Sequence, residues 1–197
     1  MAALEMTRRS MALRLPRLAM ATAMATALAG VLTLSACDEP PADDDKFAKV
    51  TIKDKEFKLE LALDDEKRFK GLSDRKEIPK DGGMLFVFAQ RDVEVHEFVM
   101  RDCPIPIDII FLDSSGRVTA KHKMTVEEPR KPDEPKTDDP SEDKYEQRLK
   151  RYSSKYPAQF VIELAGDTLD SVEVKEGDKV KLDTAALKKR AKAKGQK

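Results

Sequence analysis

Apolar positions fall into three patterns along the chain. Residues 18–34 form an uncharged Ala/Met/Leu-rich run. Phe47–Ile52 and Glu56–Leu63 alternate apolar and polar, with Lys53-Asp54-Lys55 between them, which predicts a hairpin. Phe57, Leu59, Leu61 and Leu63 then face inward, Lys58 and Glu60 outward. The densest runs are Met84–Phe88, Phe98–Met100 and Ile105–Leu112. Met84–Phe88 carries no polar residue, as expected of a strand buried on both faces.

Strands are also predicted at Val93–Met100 and Ile107–Leu112, with Pro104 and Pro106 at a strand start or edge. Asp113–Gly116 turns the chain into Arg117–Thr125, alternation returns at Ala158–Leu164, and Val180–Leu182 is the last strand. Asp64 is placed to cap a short helix, Asp65–Lys70, stopped near Gly71, with Phe69 and Leu72 as its core contacts. Pro79–Gly83 is a turn. The sum is about seven short strands with one or two helices. That predicts a mainly β (α+β) fold, a compact antiparallel β-barrel-like domain. Its folded part is about 115 residues, enough for one core.

The run at 18–34 follows Arg8, Arg9, Arg14 and Arg17 and ends in the small residues Ser35 and Ala36. Residues 1–36 therefore read as an export signal. Leu34-Ser35-Ala36-Cys37 resembles the lipobox of bacterial lipoproteins. That resemblance implies cleavage before Cys37, a diacylglyceryl thioether on its sulfur and an acylated new N-terminus, palmitate being the usual kind of chain. Two or more chains anchor durably, since each buried CH₂ contributes ~0.8 kcal/mol. Asp38 directly after Cys37 resembles the enterobacterial signal for retention in the inner membrane, facing the periplasm. Thr7–Met11 is faintly similar to a twin-arginine signal, but its later positions fit general secretion better.

Residues 37–46 hold the lipidated Cys and a tether of two prolines and five acids, whose nine residues after Cys37 reach ~30 Å at most. Residues 47–183 are the β-rich domain, and 184–197 a basic tail.

Composition changes this picture in two places. Charged residues are 38% of the chain, against about 25% in ordinary domains. The excess concentrates in Glu127–Arg151, which holds Pro129, Pro132, Pro135 and Pro140 and is expected to be a disordered insert, with helical potential around Tyr145 and Leu149. Formal net charge is +0 overall and −3 without residues 1–36, so nucleic acid is not an expected partner. Tryptophan is absent, leaving Phe, Ile, Leu, Val and Met to build the core.

Candidate chemistry is sparse. Asp108 sits among Ile105, Ile107, Ile109 and Ile110, and a buried carboxylate either finds partners or shifts its pKa. Strand alternation puts Glu94, His96, Phe98 and Met100 on one face. His122 lies between two lysines and reads as solvated. With two histidines and no CxxC, no metal or cofactor is expected. Once Cys37 is lipidated, Cys103 is the remaining thiol, and no intramolecular disulfide can form. Arg101 beside it is placed to bind a carboxylate or pair with Asp108.

Taken in order, Asp64–Leu72, Gly82–Phe88, Phe98–Met100, Pro106–Asp113, Gly116–Val118 and Ala158–Leu164 resemble domain-of-unknown-function family 192 over about Lys49–Asp183. The resemblance implies a mainly β, barrel-like domain, and no established activity. The chain departs from the family pattern at Ser73, Val99, Asp102 and Cys103, where Met, Trp, Asn and Thr are usual.

The expectation that follows is a lipid-anchored envelope protein held to the membrane through Cys37. Asp108, Met100, Arg101, His96 and Phe98 form its candidate pocket for a small ligand or an envelope protein. The alternatives are an envelope hydrolase using Asp108 and His96, and a purely structural envelope component.

Overall fold

A computed structural model describes residues 46–137 and 142–194, so the expected export signal, Cys37 and residues 38–45 of the expected tether lie outside the described residues. The hairpin forms as the alternation predicts. Strand β1 (Phe47–Ile52) pairs antiparallel with β2 (Lys55–Ala62), and Val50, Ile52, Phe57, Leu59 and Leu61 are buried. Helix α1 (Asp65–Lys70) starts where Asp64 accepts the Lys67 N–H at 2.9 Å. It stops at Gly71, whose φ of 50° lies in the region that favours glycine. Leu72 is buried, but Phe69, expected in the core, is 65% exposed.

Six strands make one sheet in the order β1-β2-β3-β8-β5-β6. Its centre is β3 (Gly83–Val87), β8 (Phe160–Ala165) and β5 (Ile107–Leu112), and β6 (Val118–Met124) is the far edge. All neighbours are antiparallel except β2 and β3, which run parallel and are joined through α1. Two further strands, β4 (Glu97–Phe98) and β7 (Tyr152–Ser153), pair separately. The domain is therefore mainly β, with eight strands and four short helices among the described residues.

Three expectations are corrected here. The sheet is not a closed barrel, because β1 and β6 are its two edges. Residues 177–181 bond to both of them, with Thr51 N–H donating to Lys181 O and Val118 N–H to Asp178 O, each at 2.9 Å. The strand expected over Val93–Met100 shrinks to Glu97–Phe98. Around it the backbone bonds go to scattered partners, Ala158 N–H to Glu94 O and Ser154 N–H to His96 O. The basic tail, which reads from sequence as a solvated helix or a frayed end, is a helix, α4 (Thr184–Lys194), but it is seated through buried Leu187 and Ala191 and not simply solvated.

The central strands are apolar on both faces because both faces are covered. On one lie Leu85, Val87, Ile110, Leu112, Phe160 and Ile162, packed with α3 (Thr168–Val172) and α4. On the other lie Phe86, Ile109, Phe111 and Val161, packed with Leu72, Met100 and Tyr152. β3 and β8 approach so closely that a Cβ on Gly83 would stand 2.1 Å from Glu163 O, and Gly83 has φ 144°. Glycine is required there.

Where composition led to an expected disordered insert over 127–151, the described residues are held by charge instead of apolar burial. Arg130 donates to both oxygens of Asp143 (2.8 and 2.9 Å), and Arg148 to both of Glu134 (2.7 and 3.1 Å). Helix α2 (Lys144–Arg148) is capped by Asp143, which accepts the Tyr145 and Glu146 N–H groups. Tyr145 is 1% exposed, with both guanidiniums over its ring, and its hydroxyl accepts the Asp102 N–H at 2.9 Å. Arginine stacked on an aromatic and forked onto a carboxylate orders a segment that hydropathy alone reads as loose.

Candidate functional site

The residue that organises the site is Glu163, which sequence reasoning passed over. It interrupts β8, FVIELA, and pairs with Met84 on β3 and Ile109 on β5. Alternation turns its side chain to the face of Phe86, Ile109, Phe111 and Val161. It is 5% exposed, and its Oε2 has no hydrogen-bond partner among the described residues. Burial pushes its carboxyl up to about 8, against the opposing pull of the Arg75 charge and the Leu72 backbone N–H. The group is mostly neutral at pH 7.

Above it opens a cavity of about 240 Å³. The turn after α1 supplies one side. Gly71 lets the backbone come so near that a Cβ there would lie 3.5 Å from Glu163 Oε2 and 3.4 Å from the Phe86 ring. Aromatic rings make the walls: Phe86 and Phe98 meet edge-on at 5.1 Å, and Phe88 stacks on His96 at 3.7 Å. His96 Nε2 is also buried without a partner among the described residues. Burial lowers its pKa, opposed by Glu94, so the imidazole is neutral at pH 7. Cys103 donates to Arg101 O at 3.3 Å, and burial pushes its thiol up to about 11, far from a reactive thiolate.

Of the five residues expected to form a pocket, three are brought together here: His96, Phe98 and Arg101. Met100 packs instead into the core beneath, 1% exposed. Asp108 lies on the opposite face of the sheet. Its neighbour Ile109 pairs with Glu163, while Asp108 itself pairs with Leu164 and accepts the Leu169 N–H of α3 at 2.7 Å. Asp167, at the N-cap of α3, makes no side-chain cap bond, so Asp108 supplies one from the strand below. Burial raises its pKa, and the Leu169 bond opposes that.

A hydrolytic pair of Asp108 and His96 is therefore not assembled. Nor does Arg101 meet Asp108. Its guanidinium forks onto Glu146 and lies 4.2 Å over the Phe69 ring. His122 is half-buried, not solvated, with Nε2 2.8 Å from Ser153 O. Among the described residues no His, Cys, Asp and Glu cluster is arranged for a metal.

The model of the family described as "Uncharacterized ACR", DUF192, matches residues 48–182. The chain belongs to the DUF192 family. No curated protein matches it. Two solved structures share its fold. A protein of unknown function from Novosphingobium aromaticivorans DSM 12444 is 25% identical, with a TM-score of 0.54 over 68% of this chain and 84% of that one. A protein provisionally named a transcription regulator, from Sinorhizobium meliloti 1021, is 24% identical, with a TM-score of 0.52 over 70% and 92%. Within the DUF192 match, Ser73, Val99 and Cys103, three of the four departures from the usual family residues, line the cavity.

Proposed function

We infer that this DUF192 chain is a lipid-anchored envelope protein, facing the periplasm from the inner membrane, whose domain binds a small molecule over β3 and β8. The observation carrying the binding part is that two buried polar atoms, Glu163 Oε2 and His96 Nε2, lack partners among the described residues, and that both residues line one aromatic-walled cavity. Buried polar groups are normally hydrogen-bonded, and leaving one unpaired costs about 1–3 kcal/mol. A ligand that satisfies both regains that energy and covers the exposed parts of the rings. Pockets with apolar walls and a few convergent polar groups are the usual form of small-molecule sites.

The anchoring part is supported by the Leu34–Cys37 motif after an uncharged run and by the acidic residues that follow it. The reach of the tether keeps the domain near the bilayer surface.

Two experiments test this. Cys37→Ala releases the protein from the membrane fraction; retention after signal cleavage contradicts the anchor. A small-molecule thermal-shift screen on the processed chain yields hits that Phe98→Ala and Glu163→Leu abolish. A screen whose hits survive both changes contradicts the cavity as the binding site.

A further inference from the structure

The polar and charged groups around the cavity define the chemistry of its ligand. Besides Glu163, four chargeable side chains line it, and each has an opposite charge beside it: Arg68 with Asp65, Lys70 with Asp74, Arg101 with Glu146, and Glu97 within 4.0 Å of Arg151. The two arginines are further committed. Arg68 donates to Leu63 O (3.0 Å) and Val87 O (3.2 Å), and Arg101 to Phe69 O (3.2 Å). Ser73 and Cys103 both donate to Arg101 O. Arg75, the cation that acts on Glu163, is forked onto Glu60, at 2.8 Å for one of its two bonds. Glu163 apart, no charge at this site is left among the described residues for a ligand ion to neutralise.

What remains to be satisfied among the described residues is Glu163 Oε2 and His96 Nε2, on two residues that line the same cavity. Resting on the small-molecule reading above, we propose that the cavity takes a small, uncharged, flat molecule of the amide or lactam class, whose C(=O)–N–H edge hydrogen-bonds Glu163 and His96 while its ring lies among Phe86, Phe88 and Phe98. An amide edge offers one donor and one acceptor. A neutral carboxyl and a neutral imidazole complement both, since each can donate and accept. Flat rings pack edge-on or offset against phenyl faces. A charged ligand gains nothing equivalent. An anion would lose its hydration among the rings without meeting an uncommitted cation, and a cation would first have to ionise Glu163. The neutral state of both groups at pH 7 agrees with this assignment.

Three probes with one skeleton separate the possibilities: benzamide (neutral), benzoate (anionic) and benzylamine (cationic). Their affinities for the full processed chain are measured by ligand-observed NMR at pH 6.5 and pH 8.5. Benzamide is expected to bind at least tenfold tighter than either ion at pH 6.5. At pH 8.5, with Glu163 mostly ionised and benzylamine still mostly cationic, benzamide loses about threefold and benzylamine gains. Glu163→Gln keeps a donor and an acceptor; it binds benzamide within threefold of wild type and loses the pH dependence. Glu163→Leu loses benzamide binding, and the Gln variant remains decisive if the Leu variant does not fold.

Benzylamine or benzoate binding best at pH 6.5 overturns the uncharged-amide assignment while leaving a binding cavity in place. Failure of all three probes to bind also overturns the assignment. The broader screen with Phe98→Ala then decides separately whether the cavity binds anything.

Discussion

Asp108 and Glu163 look alike in the sequence and differ in the structure. Each is one carboxylate in a six-residue buried strand, IDIIFL and FVIELA, and the two strands are neighbours in the sheet. One residue of register separates their rows, so their side chains leave the sheet on opposite faces. Asp108 meets the start of α3 and accepts its Leu169 N–H. Glu163 meets a cavity and keeps one oxygen unpartnered among the described residues. Burial raises both pKa values, so burial alone does not separate a structural acid from a site acid. The partners available to each carboxylate do.

The largest expected effect is on Glu163. Its folded pKa, about 8, stands above the ordinary 4.5, so the folded state holds a proton that the unfolded chain has lost across that interval. Wild-type stability therefore falls as pH rises from about 4.5 to about 8 and levels above. At about 1.4 kcal/mol per unit, Glu163→Gln should exceed wild type by several kcal/mol at pH 9 and by little at pH 4.5, read by urea unfolding. A difference that does not change with pH would make Glu163 an acid with an unshifted pKa and contradict its burial as a neutral carboxyl.

Next is Asp108→Ala, which leaves the Leu169 N–H without its carboxylate. Chemical denaturation should show a loss of about 1–3 kcal/mol. The thermal shift produced by any cavity ligand should be unchanged, because the residue lies on the other face. A lost ligand response would break the distinction between the faces.

A third test uses carboxylates that hold structure through charge. The Arg148 fork holds Glu134, and the Arg130 fork holds Asp143, at about 2, below their ordinary 4.5 and 3.8. Their contribution is complete above those ordinary values and is lost as pH falls through about 2. The α2 resonances should keep native shifts at pH 3 and lose them near pH 2. The smallest effect is at Cys103. With its thiol pushed to about 11, alkylation by iodoacetamide at pH 8 should run at least about a hundredfold slower than for a free thiol, read by mass spectrometry.

Much of this was legible beforehand. Alternation over residues 47–63 identified the hairpin and its inward side chains, Asp64 and Gly71 bounded α1, the apolar runs located β3 and β5, and alternation over Ala158–Leu164 located β8. His96, Phe98 and Arg101 were legible as candidates because alternation and adjacency grouped them. Glu163 carried the same signal as Asp108, a lone acid in an apolar strand, but Ala158–Leu164 reads as ordinary alternation and absorbs it. Which face each acid takes depends on the pairing register between β5 and β8, which sets Asp108 opposite Leu164, 56 residues along the chain, a long-range property no local pattern holds. The order within 127–151 was hidden for a different reason. It rests on arginine–carboxylate forks between residues such as Arg130 and Asp143, whose composition alone resembles that of a solvated loop.

The most direct test is a ¹³C NMR titration of the Glu163 side-chain carboxyl in the processed chain, assigned by comparison with Glu163→Gln. The resonance should stay at the protonated position through pH 7 and titrate near 8. A midpoint near 4.5 would show an ionised, solvated carboxylate and contradict the neutral acid on which the site is built.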